Sequence, residues 1–159
     1  MEQNLKNYLT KNHVKYKEYA HKAVFTVSES IELKKSISGM HCKCLFLKNE
    51  SHNFYLVAMP AQKRLEINGL RKNLSAKKLH FASQNELFDK LKLTPGSVSI
   101  FGMINNSENN VALIIDKEVW NAEYVGFHPN INTSTLVISH DDLERFYNSL
   151  KQNKEVREL

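Results

Sequence analysis

The chain has 159 residues, 42% hydrophobic and 25% charged, enough for one compact core and too few for two comfortable ones. Its apolar runs fall short of the roughly 20 residues of a membrane span, and the N-terminal MEQNLKNYLTKNHVKYKEY lacks the apolar stretch of a secretory signal, which points to the cytoplasm. A formal net charge of +5 favours an anionic partner. Lys63, Arg64, Arg71, Lys72, Lys77 and Lys78 crowd into one segment, as phosphate contacts would, although a solvated helix face is the simpler reading of such a cluster.

Leu5, Tyr8 and Leu9 recur at helical spacing, and VKYKEYA alternates like a short strand from near Val14. Thr26 and Glu29 match a capping box, so a helix is expected over about 27 to 35, with Gly39 free to take a positive φ before a strand that starts near Met40. In that strand His41, Lys43, Leu45 and Leu47 share one face and Cys42, Cys44 and Phe46 the other. Both faces are mostly apolar, which predicts a central strand. NESHN has turn chemistry and FYLVAMP pairs back as a second strand. Leu65, Ile67, Leu70 and Leu74 predict a short helix, interrupted or capped near Gly69, and Ser83 with Glu86 repeats the capping box before a helix through Leu91.

Thr94, Pro95 and Gly96 supply a tight turn. After it come a strand SVSIFG, a polar loop INNSENN, a β-branched strand VALIID, a strand EYVGFHPN broken by Gly126 and Pro129, and a last strand STLVIS. Ser139 opens a final helix with Leu143, Phe146, Tyr147 and Leu150 on its apolar stripe, and residues 151–159 are expected to fray. Strands outnumber crossover helices and short turns join several of them, so the expectation is a single α+β domain over 1–159 with a mixed sheet.

The HCKC segment offers at most three metal ligands, with His41 on the opposite strand face from the cysteines, and His13, His21, His52, His80, His128 and His140 are dispersed, which argues against zinc. Cys42 and Cys44 lie two residues apart on one side of a strand, with Cβ atoms roughly 6 to 7 Å apart against the ~4 Å of a disulfide. They read as free thiols, and as small buried hydrophobes rather than nucleophiles, since Lys43 points to the other face. No G-x-S-x-G elbow and no glycine-rich phosphate loop occurs. Lys43, flanked by Leu45 and Leu47, either snorkels to solvent or faces a cavity where an anion or carbonyl meets it. GFHPN is either an ordinary turn or a rigid loop that presents the His128 imidazole and backbone N–H groups.

Taken in order, HKAVFTVSES, GMHCKCLFLKN, TPGSVSIFGMINN, VALIIDKEVW and GFHPNINTSTLVIS resemble the YbaK/ProX family of aminoacyl-tRNA editing deacylases over nearly the whole chain. Within it the resemblance is to the free-standing ProX branch, which hydrolyses alanine mischarged on proline tRNA. The resemblance implies a mixed, strongly curved, barrel-like sheet flanked by helices. It implies that Lys43, Gly126 and His128 carry the catalysis, with Lys43 binding the charged 3′ end of the tRNA. Gly102 and Ser99 of the S-x-F-G loop and Phe127 of the G-x-H-P loop are then expected in the walls of the substrate pocket, with Cys44, Asn130 and Thr133 contributing to binding. Arg71, Lys72, Lys77 and Lys78 would contact tRNA phosphates.

No metal or cofactor is implied, and the partners are the 3′ end of proline tRNA and, as a candidate, prolyl-tRNA synthetase. Cys44 stands where the family has asparagine, which bears on the amino-acid preference, and Lys22 stands where the family has proline after the first-motif histidine. An aminoacyl ester is already activated, so holding it beside a water, offering N–H groups to the oxyanion and excluding the larger cognate side chain suffices. With no synthetase catalytic domain attached, the expected activity is trans-acting hydrolysis of alanyl proline tRNA. The alternatives are cysteinyl specificity, or a tRNA-terminus binding module with weak or lost catalysis.

Overall fold

The computed structural model describes residues 1–23 and 35–159. Among them, alternating apolar positions build β1 (Lys17–Ala20), β2 (Met40–Asn49), β3 (Phe54–Pro60), β4 (Leu79–Phe81), β5 (Val111–Asp116), β6 (Tyr124–Phe127), β7 (Ser134–Ser139) and β8 (Lys154–Arg157). These strands form one mixed sheet in the order β1-β7-β6-β2-β3-β5-β8, with β4 also on β2. The β2/β6, β3/β5 and β5/β8 pairs are parallel and the others antiparallel. The flanking helices are α1 (Gln3–Lys11), α2 (Ile67–Asn73), α3 (Gln84–Leu91), α4 (Lys117–Asn121), α5 (His140–Ser149) and a 3-10 helix (Ile100–Asn105). The α+β class with a mixed sheet flanked by helices agrees with the sequence reading. None of these helices is long and apolar enough to cross a membrane.

β2 is the central strand the sequence predicts. It turns into β3 through a loop in which the Asn49 side-chain oxygen accepts from the backbone N–H groups of Ser51 and Asn53, at 3.0 and 2.9 Å. Period-two alternation then sorts the sheet into two faces. On one, Cys44, Phe46, Leu56, Ala58, Leu113, Ile115, Val125, Phe127, Leu136 and Ile138 meet Leu5 and Leu9 of α1, Leu87 and Leu91 of α3, the 3-10 helix, and Leu143 and Phe146 of α5. Phe101 and Phe146 close edge to face, with ring centroids 5.1 Å apart. On the other face Leu47, Val57, Met59 and Ile114 pack beneath Leu65, Leu70 and Leu79.

Local chemistry sets the helix starts. Ser83 and Glu86 form the expected capping box on α3, and the Ser139 hydroxyl accepts from the Asp142 N–H to start α5. Gly69 lies inside α2 rather than ending it. The helix expected over 27 to 35, with its Thr26 cap, lies outside the described residues apart from its end, where Lys35 and Ser36 are helical. SVSIFG is not a strand: the Ser99 hydroxyl accepts from the Phe101 N–H at 3.3 Å and turns the chain into the 3-10 helix, whose Ile100 to Met103 are buried.

The tail does not fray. Residues 154 to 157 add β8 to the free edge of β5, with Leu113 opposite Lys154 and Asp116 opposite Arg157. Gln152, 8% exposed, donates through Nε2 to the Met103 and Asn106 carbonyls at 3.1 and 2.9 Å. Gln152→Ala removes both bonds and leaves the two carbonyls only their backbone donors, the Asn106 and Asn109 N–H groups; at about 0.5 to 1.5 kcal/mol for a hydrogen bond it is expected to lower the melting temperature by several degrees in a circular-dichroism melt.

Candidate functional site

Lys43 lies on β2 opposite Met59 of β3, half-buried, with His41 and Leu45 beside it on the same face by alternation. β6 joins the other edge of β2 at its start, in parallel, pairing Met40 with Val125 and His41 with Gly126. That short contact puts His41, Lys43, Gly126 and the following His128 on one face of neighbouring strands. Gly126 is buried, and a Cβ there would lie 3.1 Å from the Thr135 Cγ2 of β7, tighter than an ordinary contact. A recess of about 280 Å³, lined by Met40, His41, Pro60, Ala61 and Gln62, opens at the start of β2, next to His41. Pro60 sits next to Met59, the partner of Lys43.

His128 is held by a hydrogen bond from Nδ1 to the Ser134 carbonyl at 3.0 Å. A carbonyl only accepts, so Nδ1 carries the proton and the neutral ring keeps its lone pair on Nε2. Burial depresses its pKa, against the opposing pull of the Ser134 carbonyl, and positive charge on His21 or His41 depresses it further. The neutral form is therefore favoured.

His21 lies with its ring centroid 6.0 Å from that of His128. Its Nδ1 meets the Lys22 carbonyl at 2.9 Å, its Nε2 meets the Thr135 hydroxyl at 3.0 Å, and its backbone N–H donates to the Thr133 carbonyl at 2.9 Å. His41 is oriented by Nε2 against the Ile37 carbonyl at 3.1 Å. Three imidazoles thus surround the face that carries Lys43. His21 and Thr135 were not singled out from the sequence, and the first-motif histidine was the available signal.

Other expected site residues are not brought to this face. Cys44 is 9% exposed and belongs to the helix-covered core. Burial raises its thiol pKa far above the usual range, against a backbone hydrogen bond from Ile100. Cys42 is likewise pushed up to about 12, chiefly by burial and against a backbone hydrogen bond from Gly126, so both thiols stay protonated. Ser99 is fully buried as the cap described above. Phe127 is 2% exposed against Phe101, with centroids 6.3 Å apart. Gly102 is buried against the segment that follows α3: a Cβ there would lie 2.5 Å from Leu93 Cδ1. The alternation of β2 and β6 and the capped 3-10 turn direct all four into the core.

Thr133 is exposed and contributes its carbonyl. Asn130 takes a left-handed φ of +63° directly after Pro129 and is 7% exposed, with neither side-chain amide atom hydrogen bonded. In the basic segment, the Arg71 guanidinium is spent on the Ala76 carbonyl at 3.1 Å, and Lys63 is paired with Asp116 and Glu118 at 2.9 and 2.6 Å. Lys72, Lys77 and Lys78 are exposed, and the last two donate their backbone N–H groups to Glu50.

The candidate site is thus a lysine and a neutral imidazole on one sheet face, with the protonated thiols of Cys42 and Cys44 turned to the other. The aminoacyl-tRNA editing domain model matches residues 21–146, and the chain belongs to that family. It is 32% identical over 133 residues to the prolyl-tRNA editing protein ProX of Acetoanaerobium sticklandii, covering 83% of this chain and 81% of that one. It is 30% identical over 128 residues to the prolyl-tRNA synthetase associated domain-containing protein 1 of Danio rerio, covering 79% and 70%. Its fold is shared, at a TM-score of 0.74 and 14% identity over 100% of this chain and 98% of the other, with a crystal structure of a candidate trans-editing enzyme for prolyl tRNA synthetase.

Two expectations follow from this placement. Gly102→Ala overpacks the Leu93 contact, at about 1 to 3 kcal/mol, and is expected to lower the melting temperature by several degrees. His128 titrates below its ordinary 6.5, so as pH falls through 6.5 the unfolded chain takes up a proton that the folded chain does not, and stability drops until the folded ring titrates too. Denaturant titrations at pH 7 and pH 5 should show a smaller acid loss for His128→Gln than for the parent chain.

Proposed function

We propose that the chain is a trans-acting, cytoplasmic aminoacyl-tRNA deacylase that hydrolyses the ester linking alanine to mischarged proline tRNA. The observation that carries this reading is the pairing of His41 with Gly126, which puts Lys43 and the His128 imidazole on one face, with a small recess at the His41 end of β2. Family membership and the ProX relative support the reaction class.

In the proposed reaction, Nε2 of His128 accepts a proton from a water whose oxygen bonds to the ester carbonyl carbon. The carbon–oxygen ester bond then breaks, and the ribose oxygen leaves with the proton that Nε2 returns, which restores the neutral imidazole. The Lys43 ammonium faces the negative charge of the tRNA terminus or of the developing oxyanion. The recess of about 280 Å³ lies near the low end of small-ligand sites, and exclusion of the proline ring by size discriminates where binding preference for a methylene gives only ~1 to 3 kcal/mol. Of the basic segment, Lys72, Lys77 and Lys78 are open to phosphates, while Arg71 holds the turn. Prolyl-tRNA synthetase is the candidate protein partner.

Deacylation assays on alanyl, cysteinyl and prolyl proline tRNA test this directly. Alanyl proline tRNA is expected to be cleared fastest and prolyl proline tRNA to survive. Faster clearance of the cysteinyl ester would reassign the amino acid, and inertness toward all three with retained tRNA binding would make the chain a binding module. Lys43→Ala and His128→Gln are expected to lower kcat/KM by about 10²- to 10⁴-fold with nearly unchanged melting temperatures. The acid limb of the parent kcat/KM profile is expected below pH 6.5, the ordinary histidine value, because burial keeps His128 neutral there.

A further inference from the structure

A second concavity opens on the same sheet face, across β1, β7 and β6. This groove, of about 370 Å³, is lined chiefly by Lys15, Tyr16, Lys17, Tyr19, Ser38 and Tyr124, over a floor that includes Val137 and Ser139. The strand register ties it to the catalytic face at two points. Tyr19 of β1 pairs with Thr135, whose hydroxyl meets His21. Tyr124 is two residues before Gly126 on β6, on the same face, so the two lie about 7 Å apart. That distance matches one to two stacked nucleotides at ~3.4 Å each.

The chemistry of the lining is aromatic and cationic. Tyr124 is 47% exposed, an unusual position for a tyrosine ring with no partner across the strand larger than Ser139. The Lys17 ammonium sits 4.8 Å from the Tyr19 ring centroid, and hydrogen bonds from Lys17 first and Ser38 second lower the Tyr19 pKa. Neither Lys15 nor Lys17 is paired with a carboxylate among the described residues. Asp142, the acid at the groove, is already occupied: its Oδ1 accepts from the Lys15 backbone N–H at 2.8 Å and from Arg145 at 2.9 Å, and its Oδ2 from the Ser139 hydroxyl at 2.6 Å. Exposed aromatic faces beside unpaired ammonium groups suit a single-stranded nucleic acid, whose bases stack on any ring and whose phosphates take the cations. An apolar peptide would leave these ammonium groups stranded.

We infer that this groove holds the unpaired nucleotides that precede the aminoacylated terminal adenosine, so that the RNA end runs over β1 and β6 into the Lys43 and His128 face. The inference rests on the deacylase reading and adds to it the path of the substrate. It assigns Tyr124 and Tyr19 as stacking residues and Lys15 and Lys17 as phosphate contacts.

The test uses a fluorescein-labelled RNA hairpin with a four-nucleotide 3′ overhang and the same hairpin with a blunt end, titrated by anisotropy into the full chain. The parent chain is expected to bind the overhang hairpin at least tenfold more tightly than the blunt one. Tyr124→Ala is expected to weaken overhang binding by about 5- to 100-fold, the loss of one stacked base, with blunt binding unchanged and Tyr124→Phe restoring the parent affinity. Lys17→Ala is expected to reduce the slope of log affinity against log salt by about 0.7. Equal parent affinity for the two hairpins, or overhang binding by Tyr124→Ala equal to the parent's, overturns the inference, as does loss of synthetase binding in place of RNA binding.

Steady-state deacylation with the same variants separates the two layers. A raised KM at unchanged kcat for Tyr124→Ala supports the groove. Overhang binding through Tyr124 in a chain that deacylates no aminoacyl proline tRNA keeps the groove and sinks the deacylase reading. Deacylation by a chain whose Tyr124→Ala form matches the parent in KM and overhang affinity does the reverse.

Discussion

The two-residue parallel contact of Met40 and His41 with Val125 and Gly126 is the join on which the site depends. β2 spends the far end of the same edge on β4, through Leu47 to Asn49, and its opposite edge on β3. Only at its start is it open to β6, and only there do the lysine strand and the histidine loop come side by side. The contact tolerates little extra bulk on the Lys43 side, because Gly126 already lies against Thr135. Thr135 in turn faces His21, so a side chain at 126 would press on the second imidazole as well.

The face so assembled divides its work by polarity. The side of the sheet covered by α1, α3 and α5 carries the larger of the two apolar clusters, and the two thiols are drawn into it, where burial keeps them protonated. The other side carries the imidazoles, the lysine and the small residues. Alternation along a strand is enough to separate a buried thiol from the lysine next to it in sequence.

Elements with strong local signals were legible in the sequence. The Ser83–Glu86 cap, the β2/β3 hairpin and the α5 stripe all follow from neighbours in the chain. The strand face shared by His41 and Lys43 was legible too. SVSIFG misled because a short apolar run fits a strand and a buried turn equally, and the deciding interaction, Ser99 with the Phe101 N–H, is a single hydrogen bond. β8 was missed because KEVR carries no pattern of its own and gains order only from the edge of β5. The grouping of His21, His41 and His128 was illegible for a different reason: the three are far apart in sequence, and only the sheet order brings them together.

β1 has a consequence for motion. It is a four-residue edge strand, exposed along most of its length, and among the described residues it pairs with β7 alone. Short edges of this kind open at far lower free energy than a central strand such as β3. Each opening would release Tyr19 and loosen the chain at His21 without disturbing the core, giving the sheet a local breathing mode beside its chemistry. Amide protons of residues 17 to 20 should therefore exchange long before those of β3, and an RNA end lying across β1 would slow them.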